Sequence, residues 1–166
     1  RLGHMGGLSG IVPAAQGALT LSGLSADRLG AADYSDVQWW LEWYTDTGAT
    51  ASNATVNVTY NDDSTGNLAT IAVGGTVRAS RMLPLVSAAA GKFIKAVNSV
   101  TLSASTGTAG NFGITATRPR TAAACDLANK ATTFDWAQLG LPEIPNDACY
   151  FMVVPCITTS SGTVRG

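Results

Sequence analysis

One imidazole, three thiols and two glutamates are, aspartates aside, the chain's whole stock of strong catalytic and metal-binding groups. Nucleophilic catalysis of the Ser-His-Asp or Cys-His kind needs an imidazole held in one orientation. The sole histidine, His4, lies in a glycine-rich N-terminal stretch that is expected to hold a ring poorly, so it is read as an ordinary arm residue. Cys125, Cys149 and Cys156 contain no C-x-x-C pair, and only one histidine is present to complete a zinc set. Cys149 and Cys156 fall in an apolar run and read as small core hydrophobes, with a disulfide from Cys125 to one of them as the alternative.

Asn61, Asp63 and Thr65 alternate and Gly66 follows, as in a calcium loop, but the twelfth position is Ala72 where a bidentate glutamate is needed. A hairpin turn is the better reading. Gly107, Gly110 and Gly113 form neither a dinucleotide fingerprint nor a phosphate-binding loop, and they too read as a turn. Glu42 and Glu143 could meet as a glycosidase pair only in three dimensions, and their spacing gives that no support. Asn53-Ala54-Thr55 and Asn57-Val58-Thr59 match glycosylation sequons, which matter only in a secreted eukaryotic chain. No enzyme activity, cofactor, metal or small-molecule substrate is expected.

The aromatic residues carry more information. Trp39 and Trp43 lie on one face of a strand and Trp40 and Tyr44 on the other. One pair must be core. The second pair, flanked by Gln38 and Glu42, has an apolar body and a polar tip, which suits a subunit interface, a sugar-stacking platform or a doubly buried strand.

These residues must be positioned by elements that the pattern predicts to be all β. Val37, Trp39, Leu41 and Trp43 alternate with polar or amphipathic neighbours, as do Val56, Val58 and Tyr60. A dense turn cluster at 61–67 and a return over Leu68–Val73 make a hairpin. Further strands are expected at Val77–Val86, where Pro84 marks an edge or bulge, at Val97–Ala104 and at Phe112–Thr117. Residues 119–148 read as a long irregular connection in which Phe134, Trp136, Leu139 and Leu141 pack. Cys149–Ile157 reads as a strand buried on both faces. Residues 1–33, with glycine too frequent for a stable helix, read as an extended arm whose leucines and Ile11 lie on its own domain or a neighbour. The expected architecture is an antiparallel β-sandwich or jelly-roll-like barrel over 34–166, with that arm in front. The chain starts at Arg1 rather than Met, which predicts residues upstream, and no signal peptide is visible.

Composition narrows the function classes. Charged residues are 13% of the chain, against roughly 25% in an average globular domain, while hydrophobic residues are 46%. Ten basic against eleven acidic residues leave no surplus for nucleic acid or an anionic membrane. The apolar runs fall short of the ~20 residues that span a bilayer. Such a chain suits a subunit that covers much of its surface with other subunits.

Four segments together resemble a group of tailed-bacteriophage virion structural proteins: Arg1–Gly10, Asn53–Asn61 (NATVNVTYN), Arg81–Leu85 (RMLPL) and Val97–Gly113 (VNSVTLSASTGTAGNFG). The resemblance covers most of residues 1–118, and TGTAGNFG is its most specific part. It implies a homo-oligomeric particle component located in the virion, contacting itself and capsid or tail proteins. A head-associated decoration or surface protein is favoured over a tail or neck component. The alternative from another class is a carbohydrate-binding module. Leu8, Ile11, Leu19, Leu21, Trp40 and Tyr44 are the expected interface residues.

Overall fold

Two antiparallel sheets, packed face to face, form the body of the protein in a computed structural model. It describes residues 1–75, 79–123, 133–135, 137–140, 145–146 and 148–154. The strands are β1 (Gly3–Leu8), β2 (Leu19–Thr20), β3 (Gln38–Trp43), β4 (Asn53–Tyr60), β5 (Thr65–Asn67), β6 (Ile71–Ala72), β7 (Met82–Leu85), β8 (Ile94–Leu102) and β9 (Phe112–Thr117). One short helix, α1 (Ala26–Leu29), lies between β2 and β3. The first sheet runs β1-β9-β3-β7 and the second β2-β8-β4-β5, with β6 pairing the start of β4. The all-β sandwich expected from the alternation is the fold observed.

The core lies between the sheets. Trp39, Leu41 and Trp43 of β3 and Phe112, Ile114 and Ala116 of β9 meet Ala54, Val56 and Val58 of β4 and Val97, Val100 and Leu102 of β8. Trp43 stacks on Phe112 with centroids 4.7 Å apart. Trp39 Nε1 donates to the Ile94 carbonyl at 2.9 Å, tying the first sheet to the second. Trp43 Nε1, equally buried, has no partner.

Several boundaries differ from the sequence expectation for physical reasons. β8 starts three residues early and carries two bulges, of which the one at Asn98 explains why Val97 and Val100 both face inward. Asn57 pairs Ser99 but Val58 pairs Val97, so Asn98 is the extra residue, and Lys95 is passed over in the same way. The displaced Asn98 amide donates to Asn57 Oδ1 and its oxygen accepts from Thr59. The return partner of β4 is split into β5 and β6. Pro84 sits in β7, an edge strand of its sheet, where a missing N–H is tolerated. Part of the predicted Val77–Val86 strand, residues 76–78, lies outside the described residues.

Of the two courses expected for residues 1–33, the chain takes the one along its own domain, as strands of its sheets. β1 pairs β9, β2 pairs β8, and α1 follows. Burying a leucine stabilises by about 1.5–3 kcal/mol, more than the roughly 0.5–1 kcal/mol that an interior glycine costs. Leu8 and Leu21 therefore enter the protein's own core, and Leu2, Leu19, Leu24 and Leu29 pack against it. Glycine is still needed at position 7, where φ is 83° and the β1–β9 register shifts.

The C-terminal expectation is corrected. The described part of Cys149–Ile157 is not a strand: Cys149 is an exposed free thiol, and Tyr150 to Val154 are exposed. The two sheets fill their core without this segment. Phe134, expected to pack, is exposed, while Leu139 is half-buried; Cys125, Trp136, Leu141, Glu143 and Cys156 lie outside the described residues.

The unequal tryptophans give a test. In urea unfolding, Trp39→Phe should cost about 1 kcal/mol more than Trp43→Phe, because it also orphans the Ile94 carbonyl. Equal losses would contradict that assignment.

Candidate functional site

On β9 even the residues facing away from the core are buried: Thr115 is 0% and Thr117 7% exposed. Side chains of β1 and β3 fold over them and make a polar layer on the outer face of the first sheet. Register dictates its members. Gly3, His4 and Met5 pair Ala116, Thr115 and Ile114, which in turn pair Trp39, Trp40 and Leu41. With Trp39, Leu41 and Trp43 inward, Trp40 and Glu42 must face outward.

The layer is a directed chain of hydrogen bonds. Thr115 Oγ1 donates to Glu42 Oε2 at 2.6 Å. Its single proton is thereby spent, so it accepts from His4 Nδ1 at 2.9 Å. A neutral ring with its proton on Nδ1 leaves Nε2 as an acceptor, and the Tyr44 hydroxyl donates to it at 2.8 Å. Arg1 NH2 closes the other end on both Glu42 oxygens, at 2.8 and 2.7 Å. The histidine expected to be loosely held is thus fixed at both ring nitrogens, because its stretch is a sheet strand.

Gly113 makes room for this arrangement. A Cβ there would collide with the Tyr44 hydroxyl and stand 2.6 Å from the Met5 carbonyl oxygen. Trp40 is held alongside, its Nε1 donating to Thr117 Oγ1 at 2.9 Å. The sequence contained one usable signal for the layer: a glycine between Phe112 and Ile114 on the outward phase of a strand marks a close approach. Nothing in the composition of residues 1–10 placed His4 beside Glu42.

Electrostatics favours a neutral His4 ring and a neutral Tyr44 phenol. Burial, then the Arg1 charge, lowers the His4 pKa below its ordinary 6.5, while Glu42 acts in the opposite sense. Burial, then Glu42, raises the Tyr44 phenol. The phenol therefore keeps its proton at neutral pH and is not activated as a nucleophile. Chemically, the arrangement orients and fastens the N-terminal strand.

The remaining candidates resolve as follows. The calcium-like stretch is the β4–β5 turn. The Asp62 carboxylate accepts from the Ser64 hydroxyl and amide and pairs with Lys92 at 2.9 Å, while Asp63 pairs with Lys95 at 2.6 Å. The Ser64 hydroxyl, then Lys92, holds Asp62 down at about 2. Among the described residues no group of three His, Cys, Asp or Glu side chains could hold a metal ion. Of the residues expected at an interface, Leu8 and Leu21 are core, Leu19 packs against the core, and Trp40 and Tyr44 belong to the outer layer. Ile11 is exposed.

Ile11 belongs to one of two consecutive apolar runs that face solvent, residues 11–15 (IVPAA) and 150–154 (YFMVV). The first is a loop whose start is tied to Gln16. Gln16 Nε2 donates to the Ser9 and Val12 carbonyls at 3.0 and 2.7 Å, and its Oε1 accepts from the Ser9 amide at 2.8 Å. The second rests on the outer layer. The Arg1 backbone nitrogen donates to the Cys149 carbonyl at 2.7 Å, and the Arg1 guanidinium lies 5.1 Å from the Phe151 ring centroid. No helix among the described residues is long and apolar enough to cross a membrane. Comparison with protein-family models, curated proteins and solved structures finds no match to this chain.

Two measurements check the layer. Thr115→Val should destabilise by about 1–3 kcal/mol in urea unfolding by breaking two hydrogen bonds, with Thr115→Ser restoring most of it. For His4, the unfolded chain takes up a proton near 6.5 while the folded protein resists. Its contribution is thus present above 6.5 and is lost as pH falls through the lowered folded value. The stability-versus-pH curve of His4→Gln should be flatter below 6.5 than that of the unsubstituted protein; identical curves would contradict the assignment.

Proposed function

We propose that this protein is a structural subunit of an assembled particle, working through contact surface in place of catalysis. The observation that carries the reading is the pair of exposed apolar runs, 11–15 and 150–154, on a sandwich whose core closes without either. Monomeric proteins seldom expose large contiguous apolar patches, and such patches mark contact sites. The near-zero net charge and sparse charged residues fit crowding among like subunits.

The sequence resemblance directs this reading to the tailed-phage virion, at a head-associated decoration or surface position, with itself and capsid or tail proteins as partners. Sugar stacking on Trp40 and Tyr44 is the weaker reading. Residues four apart on a strand face stand ~13 Å from each other, too far to act as one platform, and their polar tips are spent on Thr117 and His4.

Quantitative mass spectrometry of density-banded tailed-phage particles from cells producing this chain tests the reading. Its peptides are expected in the band at a fixed ratio to the shell subunit. Peptides confined to the soluble fraction would overturn it.

A further inference from the structure

Tyr34, Asp63 and Ser80 are the non-glycine residues with positive φ among the described residues, and two of the three, Tyr34 at 67° and Asp63 at 62°, line one hollow. Both bulge residues of β8, Lys95 and Asn98, line it as well. A bulge re-aims the side chain it displaces. A bulky residue such as tyrosine holds positive φ only where its surroundings enforce it. Four backbone irregularities from three segments, the loop after α1, the β4–β5 turn and β8, thus meet at one place. The hollow holds about 290 Å³. It opens on the outer face of the second sheet, where Thr59 points because Val58 and Tyr60 are core.

We infer that this hollow binds one ring of a saccharide. Lys95 Nζ donates to Asp63 Oδ1 at 2.6 Å, so a cation and an anion stand side by side with no net charge to select an ionic ligand. Lys95 commits one of its three N–H donors to this pair and Asp63 one oxygen. A hydroxyl, which donates and accepts at once, can bridge what the pair has left. The Asn98 amide is fixed beside them: its oxygen accepts from Thr59 Oγ1 at 3.0 Å and its nitrogen donates to Asn57 Oδ1 at 2.9 Å. The amide's second N–H is a further oriented donor. Tyr34, which packs against the core, and the buried Leu21 and Ala96 supply an aromatic and apolar lining. A sugar ring carries both neighbouring hydroxyls and an apolar C–H face, and so meets both kinds of surface. A purely apolar ligand would strand the polar groups. Sites for drug-sized ligands run from about 300 to 1,000 Å³, so a hollow of about 290 Å³ suits a single ring.

A zwitterionic amino acid is the rival ligand, with its carboxylate on Lys95 and its ammonium on Asp63. It would have to break the 2.6 Å pair, which a bridging hydroxyl need not do. The site is separate from Trp40 and Tyr44, which lie on the first sheet and whose polar tips are spent. It is also independent of the assembly reading, because neither exposed apolar run lines the hollow.

Proton–nitrogen correlation NMR of the full chain tests the inference, with D-glucose, D-galactose, D-mannose and N-acetyl-D-glucosamine titrated in turn. At least one should give saturable shifts at the Asn98 side-chain amide and at the backbone amides of Asp63 and Lys95, half-complete at about millimolar sugar. Asp63→Gly removes the carboxylate, suits the positive φ and lies at an exposed turn, so it should keep the fold and weaken binding at least about tenfold. Tyr34→Asn removes the ring at a residue type that tolerates positive φ and should weaken binding likewise. If Tyr34→Asn does not fold, Asp63→Gly alone decides. The tetrasaccharide of the sugar that binds separates the sources: tighter binding assigns a glycan chain and equal binding a free sugar or chain end, and both support the inference. No saturable shift with any of the four sugars would overturn it. So would shifts centred on the Trp40 indole, binding that survives Asp63→Gly, or saturable binding of free L-alanine with none of the sugars. None of these failures alters the particle-composition test above, so the two readings fail separately.

Discussion

Trp39, Leu41 and Trp43 carry the contact on which both sheets close. They come from a strand hydrogen-bonded on both sides, by β9 and β7, and their rings and methyls fill the space against β4 and β8. At about 1.5–3 kcal/mol for each large apolar side chain fully buried, this row and its partners oppose the conformational entropy that ordering the chain costs. The Trp39–Ile94 hydrogen bond adds direction to that burial by linking one sheet to the other. Everything outward of β3 inherits its register. Once Trp39 faces in, Trp40 and Glu42 face out, and the polar layer is placed.

That layer does for the N-terminal strand what hydrophobic burial cannot. β1 contributes only Leu8 to the core. Its remaining attachment comes from backbone pairing and from the His4, Thr115, Glu42 and Arg1 network, in which the Thr115 hydroxyl's one proton sets the direction of the His4 and Glu42 bonds. The network is part-buried, with Thr115 and Glu42 the most enclosed, and Arg1 Nε is left without a partner among the described residues. The loop after the strand exposes residues 11–15.

Much of the fold was legible in the sequence because alternation in β3, β4 and β9 is strict and turn residues bound the β4–β5 hairpin. Pro84 revealed an edge because its chemistry permits little else. Three features were not legible. Glycine frequency argued rightly against a long helix at the N-terminus, but it did not reveal that β1 would join the sheet, because GHMGGL carries no period. The β8 bulges are invisible as pattern, since Val97 and Val100 look merely out of phase. The Cys149–Val154 run shows the deepest ambiguity: continuous apolar residues describe a doubly buried strand and an exposed contact segment equally well, and only the filled core distinguishes them. For the polar layer, Gly113 was the one trace; the meeting of His4 with Glu42 depends on register across three strands.

On the proposed reading, a body with a complete core, a polar layer that fastens its first strand and apolar residues left facing outward is one that neighbours cover. Hydrogen–deuterium exchange, compared between the dilute free chain and the chain in its native assembly, tests that claim most directly. The account predicts that amides of residues 11–15 and 150–154 (Pro13, which has none, aside) gain protection on assembly while those of β3 and β4 are already protected in both states. Equal, rapid exchange of both apolar runs in the free and assembled states would contradict it.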